Sequence, residues 1–160
     1  MLNDWGIDYV GQNDARVDDF YHLVVRLLDD GAPIDAVGFQ FHLLVGHDTP
    51  TVDSIARNMA RFRELGLSTH ITELDARIAI PVTAAKLREQ ARLFGVVFRA
   101  AVETSAIDDV VMWGVTDRYS WITAGETFPN HTAGVILDER LQPRPAFYAV
   151  QSELARDVRE

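Results

Sequence analysis

The sequence contains no cysteine, and this absence excludes disulfide bonds, thiolate metal sites and cysteine nucleophiles. It also lacks any run of about 20 apolar residues, the length that a membrane-spanning helix requires, so a soluble protein is expected. Basic residues are few, because 15 Lys and Arg stand against 24 Asp and Glu and give a net charge of −9. Nucleic acids and anionic membranes are also negatively charged, so neutral or weakly charged ligands are favoured.

The 160 residues are enough for one domain that buries most of its apolar surface. Hydrophobic residues make up 48% of the chain and charged residues 24%, which is the ordinary composition of a folded globular protein. No linker or low-complexity tract divides the sequence. We therefore expect a single unit that covers residues 1–160.

Apolar residues recur at helical and at strand spacing in alternating segments. Glycine and proline separate these segments, because glycine ends helices and proline cannot continue them. The first half is predicted to contain a helix from Asp14 to Gly31, a strand over 34–41, a helix with Asp48 or Thr49 as N-cap and Pro50 at its first position, and a strand over 67–74.

The second half continues the same alternation of helices and strands. It is predicted to contain a helix from Thr83 to about Ser105, a strand over 109–115, a long loop over 116–138 and a final helix over 145–156. Short apolar strands separated by helices of this length imply parallel βα units with right-handed connections. In such α/β folds the functional side chains lie at the carboxyl ends of the strands and in the loops that follow.

The segment THITELDARI, residues 69–78, places two acids after a β-branched run. Glu73 and Asp75 are two residues apart on a predicted strand, so their side chains are expected to point to the same face. His70 stands at odd spacing from Glu73 and is expected to face the helices. A carboxylate at a strand end suits the nucleophile of a retaining glycosidase, which needs a second carboxyl group about 5 Å away as acid and base.

Five short motifs follow one another along the chain: NDW at 3–5, GFQFH at 38–42, THITELD at 69–75, WGVTDRYSW at 113–121 and QPRPAFYAV at 142–150. Together they resemble the successive signatures of glycoside hydrolase family 10, the endo-β-1,4-xylanases. The match follows the family's order over nearly the whole chain, so it is far more specific than any single motif. The resemblance implies a TIM (β/α)₈ barrel and the hydrolysis of internal β-1,4-xylosidic bonds in xylan.

The resemblance also implies roles for three residues around the predicted nucleophile. Glu73 matches the catalytic nucleophile, which forms a covalent glycosyl-enzyme that is later hydrolysed with retention. His42 matches the histidine that hydrogen-bonds this nucleophile, and Asp75 matches the acid that orients the histidine. No metal and no cofactor is implied, because two carboxyl groups suffice for this reaction.

Five further positions match substrate contacts of the family: Asn3, Trp5, Gln40, Trp113 and Trp121. Trp113 and Trp121 correspond to aromatic walls of the glycone pocket, and Gln40 corresponds to a polar contact with the sugar. Trp5 replaces the tyrosine that is usual after Asn-Asp, so stacking on an aglycone sugar is kept while a phenolic hydroxyl is lost. The expected partners are xylan and xylo-oligosaccharides, with no nucleic acid and no membrane.

One part of the family's catalytic machinery has no match in the sequence. The family's general acid/base glutamate follows an asparagine in a WDVVNE-like segment at the end of the fourth strand, and no such segment occurs here. Because a TIM barrel has about 250 residues, the chain is expected to supply only strands five to eight, the C-terminal half. Such a half-barrel is predicted to have little or no activity alone. Through its open sheet edges it is predicted to pair with an N-terminal half or with itself.

The remaining acids and histidines offer weaker candidates. Glu126 in the long loop and Glu103 on a helix match no family acid, and His22 and His47 match no family histidine. Asp117 is expected at the same rim as the two tryptophans of its motif.

Two alternatives stay open. Instead of a xylanase, the chain could be a noncatalytic remnant that binds xylan or xylo-oligosaccharides. It could also be a related retaining β-glucanase or cellulase. The resemblance implies an extracellular protein, although residues 1–5 lack the basic start and long apolar core of a signal peptide.

Overall fold

The structure is a computed structural model that describes residues 1–124 and 127–156. Strands alternate with helices along most of the chain, as the apolar pattern predicts. The strands are β1 Leu2–Asp4, β2 Ala36–Phe39, β3 His42–Leu44, β4 Ser68–Ala79, β5 Asp109–Met112 and β6 His131–Thr132. The helices are α1 Asp14–Asp29, α2 Val52–Arg63, α3 Ala84–Glu103, α4 Trp121–Ala124 and α5 Pro145–Leu154, with a 3₁₀ turn at Asp117–Tyr119.

The strands form a mostly parallel sheet. β1 pairs with β2, β2 with β4, and β4 with β5, all in parallel, while β3 continues beyond β2 and also pairs in parallel with β4. The two-residue β6 pairs antiparallel with the end of β4. Helices connect the parallel strands, so the predicted α/β class with parallel βα units is confirmed.

The hydrophobic core lies between one face of the sheet and the helices. Phe62 of α2 is its aromatic centre, with ring centroids 5.4 Å from Phe39 of β2 and 5.9 Å from Phe20 of α1. Residues of β2 alternate between the two faces of the sheet. Val37 and Phe39 belong to this core, whereas Gly38 between them faces Asn3 and Thr72 on the other side. None of the described helices is both long enough and apolar enough to cross a membrane.

Helix α2 begins later than the sequence predicts, and its capping explains why. Thr51 is the N-cap: its hydroxyl accepts from the Ser54 N–H, and the Ser54 hydroxyl is 2.9 Å from the Thr51 backbone nitrogen. This reciprocal capping box satisfies two backbone N–H groups at once, whereas the predicted cap Asp48 uses its carboxylate for Leu44 and Tyr9. The helix therefore starts at Val52 and not at Pro50.

Strand β4 contains an irregularity that overturns the expected orientation of His70. The register with β5 shifts between Ile71 and Leu74, which are three residues apart and yet both fully buried in the core. His70 consequently lies on the face away from the helices, with Nδ1 2.9 Å from a carboxylate oxygen of Asp109. The prediction that His70 faces the helices is wrong, because the bulge breaks the two-residue alternation on which it rested.

The close approach of β1, β2 and β4 yields a first testable prediction. A methyl group on Gly38 would lie 2.6 Å from Asn3 Oδ1 and 2.9 Å from Thr72 Cγ2, both too short for van der Waals contact. Gly38→Ala is therefore expected to lower the free energy of unfolding by about 1–3 kcal/mol. Urea denaturation measures this change.

Gly95→Ala is the matched control, because its new methyl group would be 3.8 Å from Ala149, an ordinary contact. Within helix α3 this second change is expected to be neutral or to stabilise by up to about 1 kcal/mol. Equal stability of the Gly38→Ala variant and the unmodified chain would contradict the predicted clash.

Candidate active site

A cleft of about 930 Å³ opens at the carboxyl ends of the parallel strands. Trp113, Trp121, Thr127 and Phe128, which lie between β5 and β6 in the chain, line one side of it. Six of the eight residues predicted for the site line the cleft directly, namely Trp5, Gln40, His42, Glu73, Trp113 and Trp121. The other two, Asn3 and Asp75, lie behind this lining and contact Glu73 and His42. The structure thus brings all eight predicted residues together.

Glu73 is the central acid of the cleft. Its side chain is 16% exposed, so one surface of the carboxylate faces the cleft while the rest is enclosed. The Asn3 side-chain amide donates to Glu73 Oε1 over 3.1 Å, and His42 Nε2 is 3.4 Å from Glu73 Oε2. The hydrogen bond from Asn3 and the charge contact with His42 act on different oxygens, so together they hold the carboxylate in one orientation.

His42 lies between two carboxylates. Its Nδ1 is 3.1 Å from Asp75 Oδ1, but the pair lacks hydrogen-bond alignment, so the contact is mainly an ion pair. Burial by itself lowers the pKa of His42, whereas Asp75, Glu73 and the more distant Asp8 raise it. The net result is a pKa above the ordinary histidine value. The cleft therefore favours an imidazolium next to Glu73.

Asp75 links the histidine to the aromatic wall. Its carboxylate is fully buried, and Oδ2 accepts from the Trp121 indole N–H over 2.7 Å. The Trp121 ring in turn lies 4.8 Å from the His42 ring, measured between centroids. One buried carboxylate therefore orients two side chains of the cleft.

Three tryptophans give the cleft flat apolar surfaces. Trp5 is 59% exposed and Trp113 is 46% exposed, high values for residues of this size. The Arg16 guanidinium packs over the Trp5 ring at 4.6 Å and also donates to both Asp4 carboxylate oxygens, which holds that ring in place. Exposed rings of this kind stack on the apolar faces of sugars while polar groups bind the hydroxyls.

Two residues that the sequence did not indicate, Arg77 and Phe128, also line the cleft. Arg77 lines it with its guanidinium 4.5 Å from the Phe128 ring, and Phe128 packs edge-on against Trp121 at 5.0 Å. Arg77 could have been found, because it follows Asp75 at the same two-residue spacing that links Asp75 to Glu73. Phe128 carries no such signal, since it lies in an irregular loop.

Asp117 does not belong to the cleft, contrary to the prediction. It is buried, accepts from the Arg144 Nε–H over 3.0 Å, and also accepts from the Val135 backbone N–H. The loop after Gly114 turns this side chain towards α5, so Asp117 ties the loop to the start of that helix. Its role in the structure is that of an internal ion pair.

No second carboxyl group that is free of other partners is found among the described residues of the cleft. Asp48 lines it, but its two oxygens accept from the Tyr9 hydroxyl and the Leu44 N–H. Glu103 is on α3 and pairs with Arg156, whereas Glu126 lies outside the described residues. Within residues 1–124 and 127–156, no group of three or more His, Asp or Glu side chains is arranged to hold a metal ion.

Comparison with known proteins identifies relatives along almost the whole chain. A sequence model of glycosyl hydrolase family 10 matches residues 1–153. Endo-1,4-beta-xylanase 1 of Humicola insolens is 38% identical over 154 residues, which are 96% of this chain and 34% of that protein. Endo-1,4-beta-xylanase B of Thermotoga neapolitana is 29% identical over 161 residues, 100% of this chain and 44% of that protein.

Solved structures give the same result. Native xylanase 10B from Thermotoga maritima aligns with a TM-score of 0.85 and 30% identity, and xylanase 10B from Thermotoga petrophila RKU-1 in complex with xylobiose aligns with 0.86 and 30%. Each alignment covers 98% of this chain and 46% of the other. The chain thus spans less than half the length of these relatives. The predicted fold, a series of parallel βα units that form part of a TIM barrel, is confirmed.

Proposed function

Because the chain belongs to glycosyl hydrolase family 10, we propose that residues 1–160 are the nucleophile-bearing part of the catalytic domain of a retaining endo-1,4-β-xylanase. The observation that carries this proposal is the series of contacts from Asn3 to Glu73, from Glu73 to His42 and from His42 to Asp75. This arrangement holds one carboxylate in a fixed orientation, next to an amide donor and an imidazole, and leaves it partly open to a cleft. Those are the requirements of a glycosidase nucleophile.

In the proposed reaction, a Glu73 oxygen attacks the anomeric carbon of a xylose unit. The bond from that carbon to the glycosidic oxygen breaks, and the leaving oxygen takes a proton from a second carboxyl group. Water then gives a proton to the same second carboxyl group, now acting as base, and its oxygen attacks the anomeric carbon, so the bond to Glu73 breaks and the sugar is released with its original configuration. Asn3 and His42 hold the Glu73 oxygens during both steps, and Asp75 keeps His42 in place.

The proposed substrate is xylan, together with shorter xylo-oligosaccharides. Trp5, Trp113 and Trp121 offer rings for successive sugars, and the Gln40 amide supplies a polar contact beside Glu73. The relative from Thermotoga petrophila was solved with xylobiose, which supports this substrate class. Polymeric xylan cannot enter a cell, so the proposal places the enzyme outside it.

The general acid is proposed to come from the part of the barrel that this chain does not span. No described residue of the cleft offers a free second carboxyl group about 5 Å from Glu73. Loss of general acid catalysis typically lowers rates about 10²- to 10⁴-fold. We therefore expect little hydrolysis of xylan by residues 1–160 alone.

The face of the sheet away from the helices supports a partner for this chain. It presents Asn3, His70 and Asp109, and Val111 is half exposed there. Within the described residues, β1 pairs only with β2 and β5 only with β4, so both outer strands have an unpaired side. Open edges of this kind favour association with an N-terminal half-barrel or with a second copy.

Mixing with an N-terminal half tests the proposed function directly. The half can be taken from the Humicola insolens relative, which is 38% identical to this chain over the aligned region. The mixture is expected to release xylo-oligosaccharides from xylan at least about 100-fold faster than either part alone. Reducing-sugar release measures the rate, and size-exclusion chromatography shows whether the two parts assemble.

The same experiment separates the proposal from its alternatives. Equal hydrolysis by the chain alone would contradict the division of the catalytic carboxyl groups between two parts. An assembled mixture that binds xylobiose without hydrolysing xylan would instead indicate a noncatalytic sugar-binding protein. Faster hydrolysis of β-glucan or cellulose than of xylan would point to the related glucanase.

A further inference from the structure

Phe41 has a backbone conformation that bulky side chains rarely adopt. Its φ of 60° lies in the left-handed region, although the ring is fully buried in the core. The predicted strand over 34–41 is interrupted here, because β2 ends at Phe39 and β3 begins at His42. Gln40 and His42, on either side of the left-handed residue, both line the cleft. Such a conformation persists only where the surroundings hold it.

Two hydrogen bonds hold the Phe41 backbone. Its N–H donates to Asp8 Oδ1 over 3.0 Å, and its carbonyl accepts from the Asp75 N–H over 3.3 Å. The second bond comes from the strand that carries Glu73, so it follows from the sheet. The first comes from a side chain that belongs to neither β2 nor β3.

The Asp8 carboxylate is fixed in turn by its own neighbours. It is completely buried, Oδ2 accepts from the Gln12 amide over 3.0 Å, and the Asp8 N–H donates to Gln12 Oε1 over 2.8 Å. Both Asp8 oxygens therefore have a donor, and the group has little freedom to move. No feature of the sequence singles it out, because Asp8 is one acid in an apolar segment of the loop after β1.

We propose that Asp8 is a positioning residue of the active site. By accepting from the Phe41 N–H, it holds the left-handed turn that presents Gln40 and His42 to the cleft. Asp8 acts through the backbone and does not line the cleft. Its significance for catalysis rests on the proposed xylanase function, whereas its effect on the turn does not.

The surroundings of Asp8 make the group sensitive to pH. Burial raises the pKa of Asp8 to about 6, although the bonds from Gln12 and Phe41 and the charge of His42 lower it. The carboxylate of Asp48 raises the pKa further. Tyr9 is a further titratable group nearby, and its pKa is raised by burial and by Asp48. Asp8 is thus charged at neutral pH and gains a proton as the pH falls through about 6.

The test compares Asp8→Ala with Asp8→Asn in the full 160-residue chain. Asp8→Asn removes the charge and keeps an acceptor for the Phe41 N–H, whereas Asp8→Ala removes both. Two readouts are used, namely hydrogen exchange of the Phe41 amide and the pKa of His42 from imidazole ¹⁵N chemical shifts. Neither readout requires glycosidase activity.

Asp8→Ala is expected to speed exchange of the Phe41 amide about tenfold, the equivalent of one lost hydrogen bond. It is also expected to lower the pKa of His42 more than Asp8→Asn does, because only the alanine variant lets His42 move away from Asp75 and Glu73. Asp8→Asn should leave Phe41 exchange nearly unchanged. Equal results for the two variants would show that Asp8 acts by charge alone and would overturn the proposal.

Asn58→Ala controls for general loss of stability. Asn58 is fully buried and donates to the Ile7 carbonyl over 2.6 Å, so its loss disturbs the same loop without touching Phe41. The same shifts of Phe41 exchange and His42 pKa in this control would also overturn the proposal. Should Asp8→Ala fail to fold, Asp8→Leu, which also lacks an acceptor for the Phe41 N–H, replaces it as the test variant, and unchanged Phe41 exchange in that variant would contradict the role of Asp8.

Discussion

The unmodified chain is expected to form a covalent adduct with a 2,4-dinitrophenyl xylobioside, and replacement of Glu73 by glutamine is expected to abolish it. Dinitrophenolate leaves without a proton, so this substrate needs only the nucleophile and not the missing general acid. A neutral amide cannot replace the attacking carboxylate. We expect the rate of dinitrophenolate release to fall on the order of 10⁴-fold or more, as is typical when a covalent nucleophile is lost.

Rapid mixing and mass spectrometry measure this effect. The unmodified chain should show a burst of dinitrophenolate and a xylobiosyl adduct on the peptide that contains Glu73. Glu64→Gln is the matched control, because it makes the same chemical change at the exposed end of α2 and should leave the adduct intact. An adduct on another residue, or a Glu73→Gln variant that still forms one, would refute the assignment of Glu73 as nucleophile.

Replacement of Asp75 is expected to have the largest effect on stability. Asp75→Ala leaves the His42 imidazolium and the Trp121 indole N–H without their buried partner. Removing one member of a buried charge pair costs about 3–5 kcal/mol, so we expect a loss of that size in the free energy of unfolding. Asp75→Asn should cost less, because its carbonyl oxygen can still accept from the indole.

The pH dependence gives the second part of this prediction. Because Asp75 and Glu73 raise the pKa of His42 in the folded chain, protonation of His42 adds stability below the unfolded value of about 6.5. That contribution is lost as the pH rises through the higher folded value. In Asp75→Asn, His42 stays buried but loses the negative charge of Asp75, so the pKa of His42 should fall. The stability that protonation of His42 adds at low pH should then shrink or become a loss.

Urea unfolding at pH values below and above 6.5 measures both effects. Asp109→Asn is the matched control, since Asp109 pairs with His70 over 2.9 Å but is 56% exposed at the surface. An exposed pair contributes about 0–1 kcal/mol, so this variant should stay close to the unmodified chain. Similar losses for Asp75→Asn and Asp109→Asn would contradict a special role for the buried pair.

Helical and strand periodicity sufficed for most elements of the fold. Helix α1 begins at Asp14 as predicted, and α3 begins directly after the predicted start at Thr83, which serves as its N-cap. In both helices a polar N-cap residue directly precedes a continuous apolar stripe, so the local sequence is enough to predict where the helix begins. The predicted start of α2 was wrong, because Asp48 binds the Leu44 N–H and is not available as the N-cap. Thr51 caps the helix instead.

The composition of the cleft was also largely predictable, but its internal geometry was not. Glu73, His42 and Asp75 could be grouped because each was predicted to lie at or just after the end of a parallel strand, and such ends meet at one edge of a sheet. The contacts that orient them depend on residues far apart in the chain, such as Asn3 with Glu73 and Asp75 with Trp121. Asp117 showed the limit of this reasoning, because a motif position alone could not reveal its partner Arg144.

The sequence by itself determined the order of βα units and the set of side chains near the predicted strand ends, because apolar spacing along the chain encodes them, and its ordered motifs indicated the family by resemblance. Only the tertiary structure decided the bulge in β4 that turned His70 away from the helices, and the left-handed Phe41 that Asp8 holds. It also decided the pKa of His42. The physical reason is that bulges, buried hydrogen bonds and electrostatic fields arise between segments that meet only when the chain folds.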